Sequence, residues 1–405
     1  MLTVLSVADA RKKILSSVPG SGRKVDVVSL LDATNRILAK PLTAGCDLPP
    51  FPRSTMDGFA VSAPDTFGAS EAMPALLTVS GEVLMGQAPP SRLTPGQALR
   101  ISTGGMLPAG SDAVVMVEYT EDLGDQTIAV YHAVAPGENT ILRGEDLKTG
   151  ETVLPAGHRL RPQDIGALAA LGCGKVETVA RPQITILSTG DELVPPEREP
   201  GPGQVRDINS YLLASLVFQT GGIPKVLGIV PDRAEALYSA LQKAQNSDCV
   251  ILSGGSSAGT RDLTAETIDR LGQPGVLFHG VSMRPGKPLI FGVVGEKPFF
   301  GLSGNPTSAL VGFRLFVGPL LLKLQGAEEK EPVLWARTER NLSSASGRED
   351  YFRAVVYNRD GELWAHPMLG QANLISTVVK GNALLRVPQN CEGVEAGEKL
   401  EVMWL

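Results

Sequence analysis

Residues 249–262 read CVILSGGSSAGTRD, and the ten that follow, LTAETIDRLG, carry helical spacing. An apolar run closing on Ser-Gly-Gly ahead of such a pattern predicts a buried strand that feeds a helix through a polar turn. The same grammar extends in both directions. ITILSTG (184–190), KVLGIV (225–230), PLIFGVV (288–294) and FFGLSG (299–304) are strand-like. Helical stretches begin at NSYLLASLVFQTGG (209), DRAEALYSALQKA (232) and NPTSALVGFRLF (305). Strand and helix in alternation predict a doubly wound, mostly parallel sheet over this part of the chain.

The flanks read differently. SVADARKKILSSV (6–18) has apolar residues at helical spacing, with Ser6 as N-cap and Asp9 three residues on. From 46 to 145, short β-type runs (ALLTVSGEVL, GQALRIST, DAVVMVEY, TIAVYHAV) alternate with Gly/Pro turns, which predicts a β domain. A glycine-punctuated connector at 144–162 leads into DIGALAALG, a short helix. Beyond 326 the chain returns to strands (VLWARTER, DYFRAVVYN, ALLRVP, KLEVMWL). The fold class expected is multidomain α/β plus β, with two to four domains in 405 residues.

A net charge of -6 without a basic run argues against nucleic acid as the main partner. The four cysteines and four histidines are scattered, which argues against a zinc site or a Ser-His triad. No start resembles a signal peptide, and every long apolar run is broken by charge, Gly or Pro, so a cytoplasmic protein without a membrane span is expected.

In an open α/β sheet, ligands bind at the carboxyl ends of the strands. Three turns there are small and polar: Ser188, Thr189 and Gly190 with Asp191 and Glu192; Gly254, Gly255 and Ser257 in SGGSSAGTRD; and Ser303, Gly304, Asn305 and Ser308 in LSGNPTS. Small residues let backbone N–H groups approach an anion, and a helix start favours negative charge. A phosphate-bearing ligand is expected. In MRPGKP, Arg284 and Lys287 flank a rigid Pro-Gly turn, suited to an oxyanion. Asp232 and Asp262 each stand near a helix start, Asp232 with Glu235 three residues later. They are either helix caps or ligands of a hard divalent cation. FPRSTMDGFAV (51–61) raises its own question: Asp57-Gly58 in an apolar stretch is either a turn or a site.

PPFPRSTMDGFAV, RISTGGMLPAGSDAVVMVE, STGDEL, SGGSSAGTRD, MRPGKPLIFG and GLSGNPTSA stand in the order found in the molybdopterin molybdenumtransferases, the MoeA type related to gephyrin E domains. The chain resembles that family to about residue 325, and more loosely beyond. The resemblance implies an N-terminal helix (1–24) on a molybdopterin-binding domain (179–326), and a segmented linker domain (25–45 and 146–178). It also implies an inserted β domain (46–145) and a C-terminal β-barrel-like domain (330–405). It implies a homodimer with a shared cleft, insertion of molybdate into adenylylated molybdopterin with release of AMP, a divalent cation such as Mg²⁺, and a molybdopterin adenylyltransferase as docking partner. By position, Asp57, Glu192, Asp232, Asp262 and Lys287 become catalytic. Asp232 and Asp262 lie nearest the cation, and Thr103, Ser257, Arg284, Pro288 and Arg348 contact substrate. Three departures stand out: Gly280 where many members are basic, Gln371-Ala372 for Gly-Ser, and Ser303 for proline. A tungstate-preferring insertase and a non-catalytic molybdopterin-binding scaffold are the rival readings.

Overall fold

The computed structural model describes residues 4–19, 24–254, 258–327, 332–371 and 373–405, with side chains 258–262 also outside the description. Gly255, Ser257 and the Asp262 side chain therefore lie outside the described residues, as does Ala372. The chain forms two compact units: residues 1–27, 35–39 and 177–405, and residues 28–34 and 40–176.

The N-terminal helix α1 spans Val7–Ser17, and the Ser6 hydroxyl accepts from the Asp9 N–H as its sequence predicts. Its far end is held by the Lys323 ammonium, which donates to the Leu15 and Val18 carbonyls. A cation at a helix C-terminus answers both the unpaired carbonyls and the dipole.

The second unit is built on a six-stranded sheet. Its strands are β1 (Gly58–Val61), β2 (Ala75–Val83), β3 (Gln97–Ile101), β4 (Ala113–Met116), β5 (Thr120–Gly124) and β6 (Thr127–Val130), in the order β4-β1-β3-β2-β6-β5. Every residue of β1 is buried, and Gly58 has no alternative there: a Cβ would lie 1.9 Å from the Val115 carbonyl oxygen. In the same unit, Asp47 accepts from the Thr149 N–H (2.9 Å), the Thr149 hydroxyl (2.8 Å) and Arg143 (2.7 Å). A short helix α2, Pro162–Ala170, follows.

In the first unit, the alternating segment folds as β7 (Gln183–Thr189), α3 (Asn209–Gln219), β8 (Ile223–Val230), α4 (Ala234–Ala244), β9 (Cys249–Gly254) and α5 (Ala258–Leu271). Then come β10 (Pro274–His279), the short β11 (Met283–Arg284), β12 (Ile290–Val294), β13 (Lys297–Leu302) and helix α6 (Pro306–Gln325). The sheet order is β8-β7-β9-β13-β12-β10, parallel through the first four strands and antiparallel over the last two. Period-2 alternation divides the core. Ile184, Ile186 and Ile251 face α1, α3 and α6, whereas Leu187, Val250 and Leu252 face α4 and α5.

Helix α6 is long and apolar enough to cross a bilayer, but 78% of its apolar window is buried inside the protein, as in a core helix. A π-helical turn at Phe313–Val317 widens it and lets the Arg314 guanidinium reach the Trp404 carbonyl. The C-terminal strands β14 (Leu334–Thr338), β15 (Glu349–Arg359), β16 (Glu362–Pro367), β17 (Ala383–Val387) and β18 (Lys399–Trp404) make a sheet ordered β11-β15-β16-β14-β18-β17. Pairing of β15 with β17 closes it. The architecture is the expected multidomain α/β plus β.

Candidate active site

The strand order reverses at β7, with β8 on one side and β9 on the other, so the crevice lies at the carboxyl ends of β7 and β9. Ser188 and Thr189 stand beside Ser253 and Gly254 in register. Ser188 is buried, and its hydroxyl is bonded to Asp207 (2.9 Å) and Ser210 (3.0 Å). The structure thus makes it a packing residue of the loop, not a free donor to a ligand. A Cβ on Gly190 would lie 2.7 Å from Oε2 of Glu192, whose side chain folds back over the turn. Thr189, Gly254, Thr264 and Pro288 line one small void, which brings the glycine turns against the MRPGKP segment.

Asp232 closes β8. The capping reading does not hold: Arg233 occupies the N-cap of α4, and Glu235 is engaged with Arg270 at 2.5 and 3.3 Å. Burial pushes the Asp232 carboxyl up, and Asp191 and Glu192 push it further, against the opposing effect of the Thr189 hydroxyl. Asp191 accepts from the Asp232 N–H at 3.3 Å. Among the described residues, no group of three or more His, Cys, Asp or Glu has the geometry of a metal cage. The oxygen donors nevertheless fit a hard cation, which typically takes one or two carboxylates and completes its shell with phosphate and water.

A cleft of about 1130 Å³ opens where the MRPGKP segment meets the turn between β13 and α6. Arg284, Lys287, Pro288, Ser303, Asn305 and Ser308 line one wall, and Arg348 and Arg353 line the other. Asn305 caps α6 without a side-chain bond to its first turn, so N–H groups there are left for a ligand. Gly304 sits between these wall residues, with its carbonyl directed to Asn209. Arg348 is neutralised by Asp350, itself 1% exposed, at 2.8 and 3.3 Å. Arg353 is the opposite case. It is 5% exposed and donates to the Met368 and Gly370 carbonyls (3.4 and 2.8 Å), and among the described residues its buried Nε has no partner. Burial and the neighbouring Arg284 lower its pKa. Among the described residues neither Arg284 nor Lys287 has an acidic partner. Three cations without counter-ions on one cleft call for an anion.

In the second unit, Asp57 is exposed at the foot of β1. Its Oδ1 accepts from the Thr103 N–H (2.6 Å) and hydroxyl (3.0 Å), and those bonds hold its carboxyl below the usual range. Met56, beside it, is also exposed. The apolar character of the stretch therefore does not bury Asp57 within its own chain.

Three family models match in order: MoeA N-terminal region (domain I and II) over residues 5–172, probable molybdopterin binding domain over 185–323, and MoeA C-terminal region (domain IV) over 336–405. The chain belongs to the MoeA family. A putative molybdopterin biosynthesis protein of Methanocaldococcus jannaschii is 37% identical over 400 residues, covering 96% of this chain and 95% of the relative. The molybdopterin molybdenumtransferase of a Nostoc species is 37% identical over 411 residues, covering 99% and 94%. The crystal structure of a molybdopterin biosynthesis MoeA protein from Pyrococcus horikoshii superposes with a TM-score of 0.86 at 33% identity, over 100% of both chains. The family is one of transferases in molybdenum cofactor biosynthesis.

Within this MoeA-family chain, Arg284, Lys287, Pro288, Ser303, Asn305, Ser308 and Arg348 share the cleft, whereas Glu192 and Asp232 stand at the β7 and β8 ends. Sequence reasoning passed over Arg353. The signal was present in SGREDYFR: Arg348 and Asp350 stand two apart at the start of a strand and can pair, which leaves the second arginine without that acid.

Proposed function

We propose that the chain inserts molybdate into adenylylated molybdopterin, with cleavage of its phosphoanhydride and release of AMP. The observation that carries this is the trio Arg284, Lys287 and Arg353, without an acidic partner among the described residues, on a cleft that the LSGNPTS turn also lines. Molybdate is a dianion and the pyrophosphate is heavily charged, so bringing them together requires fixed positive charge in a desolvated site. Arg353 supplies it with least reorganisation, being buried and already held by two carbonyls. Lys287 and Arg284 add charge from the rigid turn, and the first turn of α6 offers N–H donors to phosphate oxygens.

Asp232, with Asp191 and Glu192 beside it, would hold a divalent cation such as Mg²⁺. A bound cation supplies Lewis-acid polarisation of phosphoryl oxygens. We further propose a homodimer in which Asp57 and Thr103 of one protomer complete the cleft of the other, and a separate adenylyltransferase as source of the substrate.

The test uses purified protein, adenylylated molybdopterin, molybdate and Mg²⁺. Molybdate-dependent AMP release with metal bound at the dithiolene is expected. AMP release indifferent to molybdate, or none with any divalent cation, would sink the proposal. Running molybdate against tungstate in the same assay separates the two oxyanions.

A further inference from the structure

Asn209, the first residue of α3, is 6% exposed and plays no part in the chemistry outlined above. Its Nδ2 donates to the Ser253 hydroxyl at 2.7 Å and to the Gly304 carbonyl at 2.8 Å. One amide thus ties the end of β9 to the turn that follows β13. Those two places are in van der Waals reach: a Cβ on Gly304 would stand 3.6 Å from the Gly254 Cα. On its other side, Gly254 is so close to β7 that a Cβ there would lie 2.2 Å from the Thr189 carbonyl oxygen. Three strand ends are packed with no slack, and Asn209 clasps two of them, the central β9 and the flanking β13. The residues around it are organised as well, since the Asp207 carboxylate accepts from both the Ser188 hydroxyl and the Ser210 N–H (2.9 and 3.1 Å).

The Asn209 Oδ1 is buried with no partner. Leaving a buried acceptor unpaired is unfavourable, and packing alone would be served as well by an apolar side chain. What an apolar residue could not supply is two N–H bonds of fixed geometry to the end of one strand and the turn after another. We infer that Asn209 is a positioning residue: it sets the separation of the β9 and β13 ends, and through it the affinity for the phosphate-bearing pterin, without touching the substrate. This rests on the function proposed above.

The test measures molybdopterin binding and steady-state kinetics in the full-length protein for wild type, Asn209→Ala, Asn209→Asp and Ser253→Ala, each checked for folding by thermal melting. Losing two neutral hydrogen bonds predicts about a tenfold rise in Kd and KM for Asn209→Ala, with kcat at saturation retained. Asn209→Asp keeps the shape but not the donors and should match it. Ser253→Ala breaks one link and should raise Kd about threefold. If Asn209→Ala does not fold, the other two variants decide the matter. Unchanged affinity in the folded variants, or a fall in kcat with KM unaltered, overturns the inference. Failure of the wild type to bind molybdopterin would instead strike at the function it rests on.

Discussion

At the scale of single residues, the two arginines of SGREDYFR separate what a sequence motif suggests from what a side chain can do. Arg348 lines the cleft but is held by Asp350, whereas Arg353 keeps a buried Nε without a partner. Arg353→Ala is expected to lower molybdate-dependent turnover by about a hundredfold through KM for the oxyanion, and Arg348→Ala by about twofold. Saturation curves in molybdate check both. Asp232 offers a second test with the sign reversed between stability and activity. Its carboxyl is pushed up on folding, so its charged form destabilises the fold as pH rises through that raised value. Asp232→Asn should raise the melting temperature at neutral pH by about 2 °C and abolish cation-dependent turnover. A lower melting temperature would mean the residue serves structure instead. The Gly280 departure also has a local cause: φ is +108° there, which side-chain-bearing residues rarely adopt.

Among the elements, β1 answers the question raised by Asp57-Gly58. The glycine is demanded by the neighbouring strand, not by a turn, and the aspartate begins where burial ends. Gly58→Ala should therefore destabilise the protein by more than about 3 kcal/mol in chemical denaturation, since the clash is with backbone that cannot rotate away. Elsewhere in the same unit, the Thr149 N–H and hydroxyl and Arg143 lower the Asp47 carboxyl to about 2. A depressed acid stabilises above its unfolded value and loses that contribution as pH falls through the folded one. The excess loss of stability between pH 4 and pH 2 should be smaller in Asp47→Asn than in wild type, as thermal melts across that range would show. The elements themselves were legible because their periodicities are strong: apolar runs for buried strands, 3.6-residue spacing for helices. Pairings such as Asp232 with Asp191, or Arg348 with Asp350, were not legible. They depend on which turns fold onto one another, and composition is silent about that.

For the whole molecule, the proposed shared cleft makes a prediction that no single variant can test. Asp57→Ala and Lys287→Ala should each be inactive, yet mixed and re-equilibrated 1:1 they should recover about a quarter of wild-type activity, because half the dimers carry one intact site of two. No recovery, with exchange verified by mass, would confine each site to one chain. Five strands of the sheet domain were readable in sequence, whereas the edge strand β10, Pro274–His279, was not read, because PGVLFH opens on Pro-Gly and reads as a turn. The relation of the β domain to the cleft was carried only by resemblance, because nothing local in FPRSTMDGFAV encodes what stands opposite it.

The wide turn in α6 bears on how this chain can drift over generations. One extra or missing residue in a helix rotates all that follows by about 100°. Here that would swing Arg314 from the last strand, and Lys323 and Gln325 from α1 and the Thr220 carbonyl. Length along this rod should be far more constant among related genes than side-chain identity, and the bulge itself should be inherited as a unit.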